Sequence, residues 1–268
     1  MFRQIKGCAL ACVLSMFTLC CPSLFAIDHC GRHDFQGTYG ILASGAITVP
    51  GFPITGPFAR AGQVVADGNG NATFNTVASY NGGFFTESIT ATYQVFPNCT
   101  IEFHVDPFAP IFQPAVFDGV IADNKHEVEF MIVSPPGQTI HATLTKQSQQ
   151  HCSAASLAGS YALNLSGSII STQPPILPGG FVRLGKLVAN GRGHFTANTF
   201  ANYNGFQIAP EEISGTYAVA GNCTVTLQYK DASGKNWEWD GALIDNSNGA
   251  DLIVNEPGTA INGTLKQQ

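Results

Sequence analysis

A chain of 268 residues in which Asp, Glu, Lys and Arg make up only 11%, against about 25% in ordinary soluble domains, has few charges to work with. Its 12 basic residues stand singly and are outnumbered by 18 acidic ones, so no cationic stripe of the kind phosphate binding requires can form, which excludes a nucleic-acid partner. The 29 glycines and 15 prolines, with no long apolar stripe at the 3.6-residue period, exclude a helical fold.

Residues 1–26 carry Arg3 and Lys6, then an apolar run from about Gly7 to Cys20, then Pro22 and the small residue Ala26. That is the layout of a secretory signal peptide, with an apolar core too short to span a bilayer. Cleavage is expected near Ala26, giving a secreted or periplasmic protein. The alternatives are a membrane anchor or a lipoprotein cut at Cys20 or Cys21, although neither cysteine follows a Gly or Ala. Loss of Arg3 and Lys6 leaves 10 basic residues against 18 acidic ones, a net charge near −8. No later window reaches the ~18 apolar residues of a membrane helix, so no span is expected in the mature chain.

Beyond the signal, the chain repeats itself. Asp67-Gly68-Asn69-Gly70-Asn71 is matched by Asn190-Gly191-Arg192-Gly193-His194 at an offset of 123 residues (191 − 68). Arg60 and Arg183, Gly62 and Gly185, and Tyr80-Asn81-Gly82 and Tyr203-Asn204-Gly205 share that offset. His29-Cys30 and Gly37-Thr38-Tyr39 recur as His151-Cys152 and Gly159-Ser160-Tyr161, and Asn98-Cys99-Thr100 as Asn222-Cys223-Thr224. The organisation is therefore a signal peptide, 1–26, and two repeats, 27–148 and 149–268, joined by a short polar link.

Within the first repeat, eight β-branched and apolar runs alternate with turn residues, at about 37–49, 58–66, 71–79, 84–95, 99–105, 115–122, 127–133 and 139–145. Asn-Gly and Asp-Gly pairs between them supply the positive φ that tight hairpins need. The class is all-β. Eight hairpin-linked strands can close into an antiparallel up-and-down barrel that leaves no exposed edge, so two such barrels in tandem are expected, with β-sandwiches as the alternative.

Four of the eight cysteines, Cys8, Cys12, Cys20 and Cys21, fall in the signal segment. The remaining four, in an exported chain, read as disulfides, and the repeat symmetry selects Cys30–Cys99 and Cys152–Cys223 among the three possible pairings. No Cys/His spacing suits zinc, and no metal or cofactor is expected. Asp67, Asn69 and Asn71 match the start of a calcium loop, but Ala72 and Ala78 stand where its glycine and closing glutamate belong, so a hairpin turn is the better reading.

The order Gly-Thr-Tyr, Asp-Gly-Asn-Gly, Thr-Tyr and Asn-Cys-Thr resembles exported bacterial proteins of the allene oxide cyclase barrel-like, broadly calycin-type, group. The resemblance covers both repeats and rests mostly on turns and the paired cysteines. It implies small eight-stranded barrels with an apolar cavity and, in some members, cyclisation of a lipid-derived epoxide. No catalytic residue of the plant cyclases can be placed here position by position. Nor is there a G-x-S-x-G elbow, an H-E-x-x-H motif, a Walker loop or a Rossmann fingerprint.

The candidate site residues are Arg60, Arg183, Trp237 and Trp239. If Gln63 and Lys186 face water, the two-residue period turns Arg60, Gly62, Val64 and Ala66 inward, together with Arg183, Gly185, Leu187 and Ala189. An inward arginine can anchor the carboxylate of a ligand or pair with an internal carboxylate or backbone carbonyls. Trp237 and Trp239 share one face of the sixth strand of the second repeat, where the first repeat has Ala115 and Phe117; they serve packing or an aromatic binding surface. The expected activity is the binding of small apolar or amphipathic molecules. A lipid-like isomerase or cyclase and a non-catalytic surface module are the alternatives, and the sequence leaves the oligomeric state open.

Overall fold

The structure, a computed structural model, describes residues 29–49, 54–110, 113–148, 151–170, 178–231 and 234–268; the expected signal segment lies outside them. Alternating apolar and polar residues build eight antiparallel strands in the first repeat: β1 (Gln36–Ile47), β2 (Gly56–Asp67), β3 (Asn71–Tyr80), β4 (Gly83–Val95), β5 (Thr100–Val105), β6 (Ala115–Ala122), β7 (Glu127–Ser134) and β8 (His141–Gln147). The second repeat builds β9 (Gly159–Ile169), β10 (Gly179–Ala189), β11 (His194–Tyr203), β12 (Phe206–Val219), β13 (Thr224–Lys230), β14 (Asn236–Ile244), β15 (Gly249–Val254) and β16 (Thr259–Gln267). Pairing of β1 with β8 and of β9 with β16 closes each set into a barrel, which excludes the sandwich alternative. In the first repeat the boundaries read from sequence agree within two residues.

The two marker stretches are turns held by their own leading side chains. Asp67 Oδ1 accepts from the backbone N–H of Asn69 (2.7 Å) and Asn71 (2.9 Å), and Asn190 Oδ1 accepts from Arg192 (2.8 Å) and His194 (3.1 Å). These bonds, with the Asn71 amide at 2.7 Å, lower the Asp67 carboxyl to about 2. The stretch thus forms the hairpin turn between β2 and β3.

Each barrel is closed at one end by a plug. A 3₁₀ turn at Arg32–Asp34 delivers Phe35 into the first barrel, fully buried against Tyr39, Tyr93 and Phe103, with ring centroids 4.8, 4.9 and 5.4 Å away. Ala154–Leu157 does the same with buried Leu157 in the second. The disulfides are Cys30–Cys99 and Cys152–Cys223, so each ties its plug to the turn between the fourth and fifth strands of its own barrel.

The barrels pack side by side through their outer walls. Ala59 and Ala61 of β2 meet Ile253 of β15 and Ala260 of β16 in a separate apolar cluster, flanked by Leu42, Val77 and Phe84. Hydrogen bonds cross the contact: Ser79 Oγ to the Thr259 carbonyl (2.5 Å), Asn262 Nδ2 to the Ala43 carbonyl (2.6 Å), Gln147 Nε2 to the Leu243 carbonyl (2.5 Å) and Gly258 N to the Gly82 carbonyl (2.9 Å). One expectation is corrected here. Gln63 does point outward, but it faces the second barrel and not water: it is 4% exposed, and its amide donates to Gln147 Oε1 at 2.8 Å and to the Asn222 carbonyl. Its counterpart Lys186 is exposed. No helix among the described residues is long and apolar enough to cross a membrane.

Candidate functional site

The inward phase places Arg60 and Arg183 inside their barrels, 9% and 4% exposed. Each meets a carboxylate and a tyrosine from neighbouring strands. Arg60 Nη2 donates to Glu87 Oε2 at 2.7 Å and to the Tyr80 hydroxyl at 2.8 Å, and Tyr80 closes the triangle by donating to Glu87 Oε1 at 2.7 Å. Arg183 Nη2 donates to Glu211 Oε2 and to the Tyr203 hydroxyl, both at 3.0 Å, and its Nη1 reaches the Tyr229 hydroxyl at 3.4 Å. Burial disfavours the Arg60 cation, but Tyr80 and Glu87 outweigh it and raise its pKa. Burial likewise opposes the Arg183 cation, and Tyr229, Tyr203 and Glu211 more than compensate. The Tyr80 and Tyr229 hydroxyls are pushed up by burial, against the pull of the arginines.

Of the two roles open to an inward arginine, the geometry supplies the internal carboxylate partner. A buried cation with its own carboxylate is already neutralised, and aromatic rings cover Arg60 further, Phe58 at 5.3 Å and Phe108 at 5.7 Å. The space beside the arginines is small. Among the described residues, the voids lined by Arg60 with Phe58, Tyr80 and Phe117, and by Arg60 with Ile41, Phe74 and Ile89, measure about 30 and 20 Å³. The one beside Arg183, between Tyr203, Tyr229 and Trp239, measures about 10 Å³. Such volumes hold a water or two, whereas pockets for small molecules run to about 300–1,000 Å³.

The two tryptophans separate in role. Trp239 lies 1% exposed inside the second barrel, edge-on to Tyr229 at 5.2 Å, and packs the core. Trp237 is half-buried at the rim. Its ring runs parallel to that of its cross-strand neighbour Tyr229, 6.3 Å away and tilted by 10°, and its indole N–H is fixed by donation to Asp231 Oδ2 at 3.0 Å. The Lys235 ammonium lies 4.6 Å over the ring and is held there by Glu256 Oε1 at 2.5 Å.

Trp237 borders a groove of about 550 Å³ across the outside of β12, β13 and β14, lined also by Ser214, Thr216, Gln228, Glu238 and Asn255. Its polar side chains brace one another. Glu238 accepts from Gln228 Nε2 (2.6 Å) and Asn255 Nδ2 (3.1 Å), and Asn255 also donates to Asp240 Oδ2 (2.8 Å), which shares its carboxylate with Thr226 Oγ1 (2.7 Å). Burial raises the Asp240 pKa despite the bonds from Thr226 and Asn255, and neighbouring Glu238 raises it further. The groove is thus a stiff array of amides, hydroxyls and carboxylates with one aromatic ring at its margin.

No family model matches the chain, and no curated protein does.

Among the described residues no group of three or more His, Cys, Asp or Glu is placed to hold a metal. Sequence reasoning missed the partners of both arginines, although a signal was there: Glu87 falls in phase with buried Ile89, Ala91 and Tyr93 along β4, and Glu211 recurs 124 residues later (211 − 87). It also missed Gln228 and Asn255, which come together through strand register and carry no local motif.

Proposed function

We propose that this is an exported, non-catalytic binding protein that holds a small amphipathic, hydroxyl-rich molecule in the groove on the outside of the second barrel. The observation that carries the reading is the 550 Å³ groove beside Trp237, set against interior voids of 10 to 30 Å³. Amides and hydroxyls that both donate and accept, beside carboxylates already engaged by protein donors, suit a neutral polyhydroxylated ligand more than a fatty acid. The half-buried Trp237 at the groove's margin offers such a molecule an apolar contact. Only the second repeat has this surface, since Ala115 and Val105 stand where Trp237 and Tyr229 would be.

The test is tryptophan fluorescence of the intact protein, titrated with a panel of neutral oligosaccharides and separately with a medium-chain fatty acid. A saturable response to a sugar that Trp237→Ala abolishes and Arg183→Met leaves intact supports the reading. Saturable fatty-acid binding lost in Arg183→Met would overturn it in favour of a barrel-interior site. The allene oxide cyclase-like reading is less favoured on the same ground: polar groups do converge inside each barrel, but the adjoining space suits water and not a lipid-like substrate. A purely structural surface module is the second reading, favoured by the filled interiors, and a groove that responds to no member of the panel would point to it.

A further inference from the structure

The contact between the barrels is head to tail: the outer wall of β2 and β3 on the first barrel meets the outer wall of β14, β15 and β16 on the second. Because the chain is a repeat, each barrel has both walls, and one of each kind is left over. We propose that these leftover walls bind each other between two copies of this chain, repeating the internal contact and assembling the protein head to tail.

The residues of the free walls argue for it. At the offset of 123, buried Ala59 and Ala61 and half-buried Val77 correspond to Val182, Leu184 and Phe200. These are 44%, 50% and 61% exposed, and Leu184 and Phe200 are register partners on β10 and β11. A water-facing wall should be polar at these positions, and this one is more apolar than its buried counterpart. On the first barrel, the positions equivalent to Ala242 and Ile253 are Val120 and Met131, 48% and 57% exposed, on β6 and β7.

Size and charge complement each other as well. Inside the chain, bare Gly40 fits under Ile244 and Asp251: a Cβ on it would collide with the Ile244 side chain and stand 3.1 Å from Asp251 Oδ2. The leftover walls exchange this pair for Ala162 and Ala122, moving the bulk from one side to the other. Gly40 is the register partner of Gln63, so Lys186, which replaces Gln63, would come beside Glu129, which replaces Asp251. Glu129 and its neighbour Asp118 are exposed and flank Val120 and Met131. The glycine pair at the edge of the contact is also kept. Gly258 donates to Gly82 across the internal interface at 2.9 Å, with φ of 83° and 85°; their counterparts Gly137 and Gly205 hold φ of 87° and 89°, and nothing lies within 4 Å of a Cβ on Gly205.

Because the two walls differ, the contact is heterologous: each added copy leaves one free wall of each kind, so the assembly closes as a ring or grows as a filament. Sedimentation velocity of the disulfide-intact protein over about a hundredfold range of concentration tests this. The average mass is expected to rise with concentration for the wild type and to stay monomeric for Leu184→Glu and for Met131→Glu, each an exposed position whose change leaves the barrels intact by circular dichroism. An equimolar mixture of the two variants retains one good wall of each kind and is expected to form a dimer and nothing larger. A wild type that stays monomeric throughout, a single variant that still associates, or a mixture that fails to dimerise would each overturn the proposal.

Discussion

Arg60→Met removes the cation paired with Glu87 and tests whether the interior triangle is structural. Glu87 is 7% exposed and, among the described residues, would keep the Tyr80 hydroxyl at 2.7 Å and the Thr76 hydroxyl at 3.4 Å. Stranding a buried carboxylate in this way costs roughly 3–5 kcal/mol. Arg183→Met should cost less, about 1–3 kcal/mol, because the Glu211 side chain is 24% exposed and can regain water. The double change Arg60→Met with Glu87→Leu should recover most of the loss, since a buried ion pair and an apolar pair of similar volume are close in stability. Urea unfolding supplies the assay, and the probes separate the barrels: both tryptophans are in the second, so fluorescence follows that barrel while near-ultraviolet dichroism also sees the tyrosines of the first. Arg60→Met should shift the tyrosine-dominated transition strongly and the tryptophan transition little. A loss below about 1 kcal/mol, or one that Glu87→Leu fails to relieve, would refute a structural role for the arginine.

Asp251, 3% exposed between the barrels with its Oδ2 unpartnered among the described residues, has its carboxyl pushed up to about 7 by burial, partly offset by Lys266 and reinforced by Glu127. Its contribution to stability is therefore complete below about 3.8 and is lost as pH rises through about 7. Asp251→Asn should flatten that slope and stabilise the protein at pH 8 by up to about 4 kcal/mol; thermal unfolding at several pH values checks this, and an unchanged slope would contradict it. The disulfides close separations of 69 and 71 residues, so the Cys30→Ser/Cys99→Ser double variant should lose about 4 kcal/mol; chemical denaturation measures the loss, and a change near zero would show that the plug holds itself. Residues 27–148 and 149–268, expressed separately in an oxidising compartment, should each unfold cooperatively, because each has its own closed barrel and core; a half without a cooperative transition would show that the wall between them is part of a common core.

The barrels were legible because two strong periodicities coincide in the sequence: strict alternation within strands such as β4 and turn residues repeated at one offset. The disulfides followed from that symmetry alone. What escaped was the third dimension of the outer walls. Gln63 carries no mark that separates a water-facing amide from one clasped by a second domain, and the clue lay instead in its neighbours: Ala59 and Ala61 are too small and apolar for a solvated wall. The inward phase of the arginines is legible from strand alternation, yet an arginine's environment depends on the strand beside it, and a carboxylate such as Glu87 in an amphipathic strand reads as surface. Trp237 and Trp239 share a face in sequence, but distance from the barrel rim alone divides them, with Trp239 deep in the core and Trp237 at a groove.

The central claim, that a ligand is held outside the second barrel and not in either interior, is tested most directly by nuclear magnetic resonance. Backbone amides and the buried Nε–H groups of Arg60 and Arg183, neither of which has a hydrogen-bond partner among the described residues, should be followed during titration with whichever sugar or fatty acid gives a saturable fluorescence response. The account predicts shifts confined to β12, β13 and β14, centred on Gln228, Trp237 and Asn255, with both arginine Nε–H signals unmoved. A shift of either arginine signal together with the inward residues of its barrel would contradict it and place the ligand inside.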